Sequence, residues 1–129
     1  EGEEPGGTES ILLVEDDDSV RNMVLRILRE KGYELVTARD GQEALLFCEQ
    51  DEREFHLLIT DVIMPKMGGR ELSDKLQRKR PQLKVLYLSG HAHDAMVHHG
   101  VLDHGVALLE KPFAKAELLR KIRDVLGKP

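Results

Sequence analysis

Residues 56–69, "HLLITDVIMPKMGG", run a short apolar segment straight into a carboxylate. Leu57, Leu58 and Ile59 form a continuous apolar run, and Pro65, Gly68 and Gly69 close the stretch behind it. A short run of this kind, bounded by turn residues, predicts a strand at 56–60 covered on both faces. Asp61 follows at the point where such a strand leaves the core.

The same arrangement repeats outward from this strand. Upstream, "ILLV" at 11–14 predicts another strand and ends in Glu15, Asp16, Asp17 and Asp18. Val20, Met23, Val24, Ile27 and Leu28 then recur at helical spacing, and Gly32 stands where a helix would terminate. "YELVTA" at 33–38 predicts a strand, and "DGQEALLFCEQ" at 40–50 predicts a helix capped by Asp40. Downstream, 69–79 predicts a helix with Leu72 and Leu76 facing inward, stopped by Pro81. "KVLYLS" at 84–89 predicts a fourth strand, 94–102 a helix, and "VALL" at 106–109 a fifth strand. The segment 114–126 predicts a last helix with Leu118, Leu119, Ile122, Val125 and Leu126 on one side.

Five strands alternating with helices predict an α/β fold with a parallel sheet and helices on both of its faces. In such a sheet every strand points the same way, so the residues just past each strand share one edge. Glu15 and Asp16 follow the first strand and Asp61 the third. Ser89 ends the fourth strand, and Lys111 follows the fifth. Three carboxylates, a hydroxyl and an ammonium are therefore expected to converge.

Carboxylates about 4 Å apart repel by about 4 kcal/mol per pair at an effective dielectric near ~20. A cluster of them takes up a proton or a cation. An all-oxygen donor set suits Mg2+ or Mn2+ rather than zinc. A divalent ion beside an ammonium and a hydroxyl receives a phosphoryl group well, and a carboxylate can itself accept that group.

Composition narrows the function classes. The chain has 129 residues, 33% of them charged, with a formal net charge of −5. One domain is expected, and a nucleic-acid-binding role is disfavoured because it calls for a basic patch. The single cysteine, Cys48, has no internal disulfide partner and reads as a small half-buried apolar residue. No apolar run approaches the length of a membrane span, so no membrane contact by this domain is expected. With no secretory signal pattern, the expected location is cytoplasmic. The acidic, glycine-rich start at 1–10 reads as a flexible linker or expression remnant, leaving 11–127 as the domain.

The stretches "ILLVEDD", "LLITDVIMPKMGG", "VLYLSG" and "LLEKPF" resemble the four signature stretches of response-regulator receiver domains of two-component signalling, of the chemotaxis-regulator type. They occur in that family's order and spacing from about Ile11 to Leu126. The resemblance implies a flavodoxin-like, doubly wound (βα)5 fold with strand order 2-1-3-4-5. It implies that Asp61 is the phosphoacceptor, with Lys111 and Ser89 acting on the phosphoryl group. It also implies Mg2+ (or Mn2+) held by Asp16, Asp61 and the backbone carbonyl of Ile63, with Glu15 acting through water. A cis peptide between Lys111 and Pro112 is implied as well. Leu108 stands where the family often carries a switching aromatic ring, and His91 at the rim position two past Ser89. A histidine kinase domain is the implied partner, with a histidine phosphotransfer protein as a further candidate. The segment "DAMVHHGVLDHGVALLEKPF" is similar to receivers at the C-terminus of hybrid sensor histidine kinases. On this reading the domain is no enzyme by itself beyond assisting its own phosphorylation.

Other readings compete with this one. "DDDSV" at 16–20 resembles the nucleophile motif of haloacid-dehalogenase-type phosphatases, which would make Asp16 the nucleophile and Asp18 the acid/base. That reading leaves Asp61 idle and finds no late acidic pair. A non-phosphorylated docking module of the same fold is a further alternative, although such a module has no need of all five polar residues. Five of the six histidines fall in "HAHDAMVHHGVLDHG", without the spacing of a transition-metal site, and read as a solvated face. Asp17, Asp18 and Ser19 read as helix-start residues.

Overall fold

The computed structural model describes residues 4–90 and 106–127. The predicted helix at 94–102, the histidine-rich stretch and His91 lie outside the described residues. Within them run β1 (Ser10–Val14), α1 (Asp18–Glu30), β2 (Glu34–Ala38), α2 (Gly41–Gln50), β3 (Leu57–Asp61), α3 (Gly69–Lys79), β4 (Lys84–Ser89), β5 (Ala107–Glu110) and α4 (Lys115–Leu126). The strands form one parallel sheet in the order β2-β1-β3-β4-β5.

Alternation along each strand divides the apolar side chains between two layers. Ile11, Leu13, Leu57 and Ile59 face α1 and α4, meeting Val24, Leu28, Leu118 and Ile122. Leu12, Val14 and Leu58 face α2 and α3, meeting Ala44, Leu72 and Leu76. Burial on both sides explains why β1 and β3 are continuous apolar runs rather than alternating ones.

The helix ends follow local chemistry. The Asp17 carboxylate accepts from the Val20 N–H at 3.1 Å to start α1, and the Asp40 carboxylate accepts from the Glu43 N–H at 2.8 Å to start α2. Past the end of α1, Gly32 takes φ +101°, which glycine adopts without strain. At the start of α4 the Glu117 carboxylate accepts from the Ala114 N–H at 2.7 Å. Met23 departs from the predicted inner face of α1: it is 39% exposed, because Val24 and Leu28 already fill the contact with the sheet. The fifth strand lies one residue later than predicted. The Lys111 N–H bonds the Ser89 carbonyl at 2.7 Å and carries the β4–β5 pairing to the strand end.

Residues 4–9 lie against the body of the domain. The Gly7 N–H donates to the Lys31 carbonyl at 3.1 Å. The Arg123 guanidinium binds both Glu9 carboxylate oxygens, at 2.6 and 3.1 Å, and the Gly6 carbonyl at 3.0 Å. It also reaches the Tyr33 hydroxyl at 3.3 Å and the Gly127 carbonyl at 2.9 Å.

Candidate functional site

The C-terminal ends of β1, β3, β4 and β5 open onto a cleft of about 260 Å³ lined by Glu15, Asp16, Asp61, Ile63, Ser89 and Lys111. The expected convergence is present. Carboxylate oxygens of Glu15, Asp16 and Asp61 lie within 4.8 Å of one another. The Lys111 ammonium stands between two of these acids, 2.8 Å from Glu15 Oε1 and 2.8 Å from Asp61 Oδ1.

The acids differ in setting. Glu15 is fully buried; its second oxygen accepts from the Asp17 N–H at 3.0 Å. Asp61 is 6% exposed, at the last residue of β3, whereas Asp16 is exposed on the loop after β1. Ser89 is buried at the end of β4, and Ile63 stands at the rim, 55% exposed. Burial pushes the Asp61 carboxyl up to about 8, the adjacent Glu15 adds to the rise, and the Lys111 ammonium opposes it. Burial draws Lys111 toward its neutral form, but its bonds to Asp61 and Glu15 outweigh that and leave its pKa raised. A single ammonium does not satisfy the cluster, and the raised Asp61 carboxyl marks negative charge held under strain. The site is therefore disposed to take up a cation.

The loop beyond Asp61 is closely built. The Val62 N–H bonds the Leu88 carbonyl at 2.9 Å, and the Gly69 N–H bonds the Val62 carbonyl at 2.8 Å. A Cβ at Gly69 would lie 2.1 Å from the Asp61 carbonyl oxygen, so only glycine allows α3 to start this close to the site. Thr60 reinforces the same carbonyl, its hydroxyl donating at 3.1 Å. Lys66 holds the left-handed turn at φ +72°, and Met64 and Met67 anchor the loop in the core under α2 and α3. The peptide between Lys111 and Pro112 is cis, as the resemblance implies.

Leu108 is half-buried on β5 and pairs in register with Tyr87, with which it joins Val62 and Val85 in a small apolar cluster. The Tyr87 hydroxyl lies 2.7 Å from that of Ser73 on α3. Cys48 is half-buried and its thiol is pushed up by burial, as fits an inert apolar position. Asp18 does not enter the cleft as the phosphatase-like reading requires; it is exposed and pairs with Arg21.

One contributor escaped the sequence reading, and another was read there only as a turn residue. Arg21 donates to the Glu15 backbone carbonyl at 2.9 Å, and Gly69 sets the approach of α3 to Asp61. The signal for the first was an arginine one turn into the helix that follows the acidic block. For the second it was a glycine pair at a helix start, with Gly68 in the cap position, where a capping side chain is usual, and Gly69 as the first helical residue.

Residues 11–123 match the family of response regulator receiver domains. The sensor kinase CckA of Brucella abortus (strain 2308) is 35% identical over 122 residues, covering 95% of this chain and 13% of the kinase. The response regulator receiver protein CpdR of the same organism is 32% identical over 116 residues, covering 90% of this chain and 95% of that protein. Among solved structures, the receiver domain of the hybrid histidine kinase CckA superposes with a TM-score of 0.76 at 36% identity, covering 92% of this chain and 99% of that one. The chain thus spans a small part of the first relative and nearly all of the second.

Proposed function

The chain belongs to the response regulator receiver domain family, and on that footing we propose that Asp61 is its phosphoacceptor. A phosphohistidine on a partner kinase supplies the phosphoryl group. The phosphorus–nitrogen bond breaks, a phosphorus–oxygen bond to the Asp61 carboxylate forms, and the imidazole leaves with the electron pair. Lys111 already lies at hydrogen-bond distance from Asp61 and offsets the charge that arrives there. The Ser89 hydroxyl, at the end of the neighbouring strand, donates to a phosphoryl oxygen.

The donor set fits a hard divalent cation. Its carboxylates supply oxygen only, two of them are buried, the Asp61 carboxyl is raised, and among the described residues no sulfur or imidazole stands with them. Asp16, Asp61 and the Ile63 backbone carbonyl would hold Mg2+ or Mn2+ directly, with Glu15 acting through water because both of its oxygens are already engaged. When bound, the ion would offset the negative charge of the incoming phosphoryl oxygens.

The new dianion biases the loop after β3, and through it the face made by β5 and α4. With Leu108 in place of an aromatic ring, the shift at β5 proceeds by repacking against Tyr87 and Val62. The likeness to CckA supports an origin in a hybrid sensor histidine kinase, with that kinase and a histidine phosphotransfer protein as partners. No helix among the described residues is long and apolar enough to cross a membrane. We assign the domain to the cytoplasm and give it no enzymatic activity beyond assisting its own phosphorylation.

The observation that carries this reading is the Lys111 ammonium held at 2.8 Å from both Glu15 and Asp61, across a separation of 96 positions from Glu15. Acetyl phosphate with and without Mg2+, followed by intact mass, tests it. Phosphate is expected on the parent with Mg2+ and not on Asp61→Asn. Label that survives in Asp61→Asn but is lost in Asp16→Asn would overturn it in favour of a phosphatase-type nucleophile.

A further inference from the structure

We propose that Arg21 is a positioning residue for the cation-binding end of the site, an inference that rests on the function proposed above. Its side chain is 14% exposed and lies over the loop between β1 and α1. One arm of the guanidinium donates to the Glu15 backbone carbonyl at 2.9 Å; the other pairs with the Asp18 carboxylate.

The first contact is the informative one. The Glu15 N–H is bonded to the Ala38 carbonyl at 3.1 Å, so the peptide before Glu15 is tied to β2. The peptide after it, which leads into Asp16, has its carbonyl held by Arg21. The Glu15 carboxylate is engaged by Lys111 and by the Asp17 N–H. Arg21 thus holds the peptide that sets the direction of Asp16, the one exposed acid of the cluster. The Asp18 pair is a surface contact that takes up part of the guanidinium's charge without being needed for the arm on Glu15.

Two effects of removing Arg21 oppose each other. Losing a positive charge on the helix that follows the acidic loop favours a cation. Losing the hold on the Glu15–Asp16 peptide disfavours it, because Asp16 must then be ordered by the ion itself. Loss of outer-shell partners typically weakens metal binding on the order of 10–100-fold. Arg21 already shares its charge with Asp18, which blunts the first effect, so positioning dominates and the net change is weaker binding.

The test is Mn2+ binding to the unphosphorylated chain, read from loss of the free-ion electron paramagnetic resonance signal, with Mg2+ measured by competition. Arg21→Met is expected to weaken binding about tenfold. Arg21→Lys keeps the charge but has a single donor centre, and falls between Arg21→Met and the parent. Asp18→Asn leaves the arm on Glu15 intact and stays near the parent. Thermal unfolding without metal is followed alongside. A merely structural role would lower the melting temperature and leave the affinity of the folded protein unmoved. Binding in Arg21→Met as tight as in the parent, or tighter, overturns the inference. Should Arg21→Met not fold, Arg21→Lys binding as tightly as the parent does the same. A parent chain that fails to bind Mn2+ refutes the proposed function itself.

Discussion

Replacing Asp61 with asparagine is expected to stabilise the metal-free protein while abolishing its phosphorylation. In the folded chain the Asp61 carboxyl stands at about 8 against an ordinary value of 3.8, chiefly because of burial and then Glu15. A carboxyl raised in the folded state binds its proton more tightly there than in the unfolded chain. The unfolded chain therefore ionises first, and folding loses stability as pH rises from about 4 to about 8. At about 1.4 kcal/mol for each tenfold change in proton affinity, the ceiling of this cost above pH 8 is about 6 kcal/mol. That ceiling already includes the ionic bond to Lys111, and relaxation around the cluster reduces it, so the net gain expected is about 1–3 kcal/mol, or roughly 3–10 °C in melting temperature for a chain of this size. Urea unfolding in chelator at pH 5 to 8 is the assay. The gap between Asp61→Asn and the parent should be small at pH 5 and widen toward pH 8. Saturating Mg2+ should close it by stabilising the parent. A variant less stable than the parent at pH 8, or a gap that does not change with pH, would refute the reasoning.

Gly69→Ala should cost about 1–3 kcal/mol, because its Cβ would collide with the Asp61 carbonyl at 2.1 Å. Gly68→Ala, with its nearest contact at 3.2 Å, should cost less, and thermal melts of the pair decide the point. Arg123→Ala should cost about 1–2 kcal/mol and lower the hydrogen-exchange protection of the Gly7 amide. Arg123 holds the Glu9 carboxyl below its ordinary value of 4.5, so this contribution is present above that pH and fades as pH falls through the lowered value. Chemical unfolding of Arg123→Ala and the parent from pH 7 to 3 should show the two curves converging. Ile63→Asn should shorten the half-life of the phosphorylated protein by admitting water at the exposed rim, measured as phosphate loss after removal of the donor.

Much of the architecture was legible because a two-sided parallel sheet writes itself as short apolar runs. Leu12 and Leu13 go to opposite layers, yet both must be apolar, and that made β1 visible without any tertiary information. The site was legible for a related reason: strand ends are easy to locate, and in a parallel sheet they share one edge. Met23 misled because the helical period places a residue on a face without saying how wide the contact is. Arg21 was missed, and Gly69 was read only as a turn residue, because both act toward backbone carbonyls, which leave no residue-type signature at the other end. Residues 4–9 read as a linker by composition, yet Arg123 reaches Gly6 across 117 positions. A single arginine on a helix face gives no hint of such a partner.

The central claim is that a phosphoryl group is carried on the side chain ending β3. Borohydride reduction of the chain after acetyl phosphate and Mg2+ converts an acyl phosphate to an alcohol, and peptide mapping then locates it. Homoserine at position 61, with Asp16 and Asp17 unmodified, is the predicted result. Homoserine at position 16, or at neither position in protein shown to have taken up phosphate, would contradict the account.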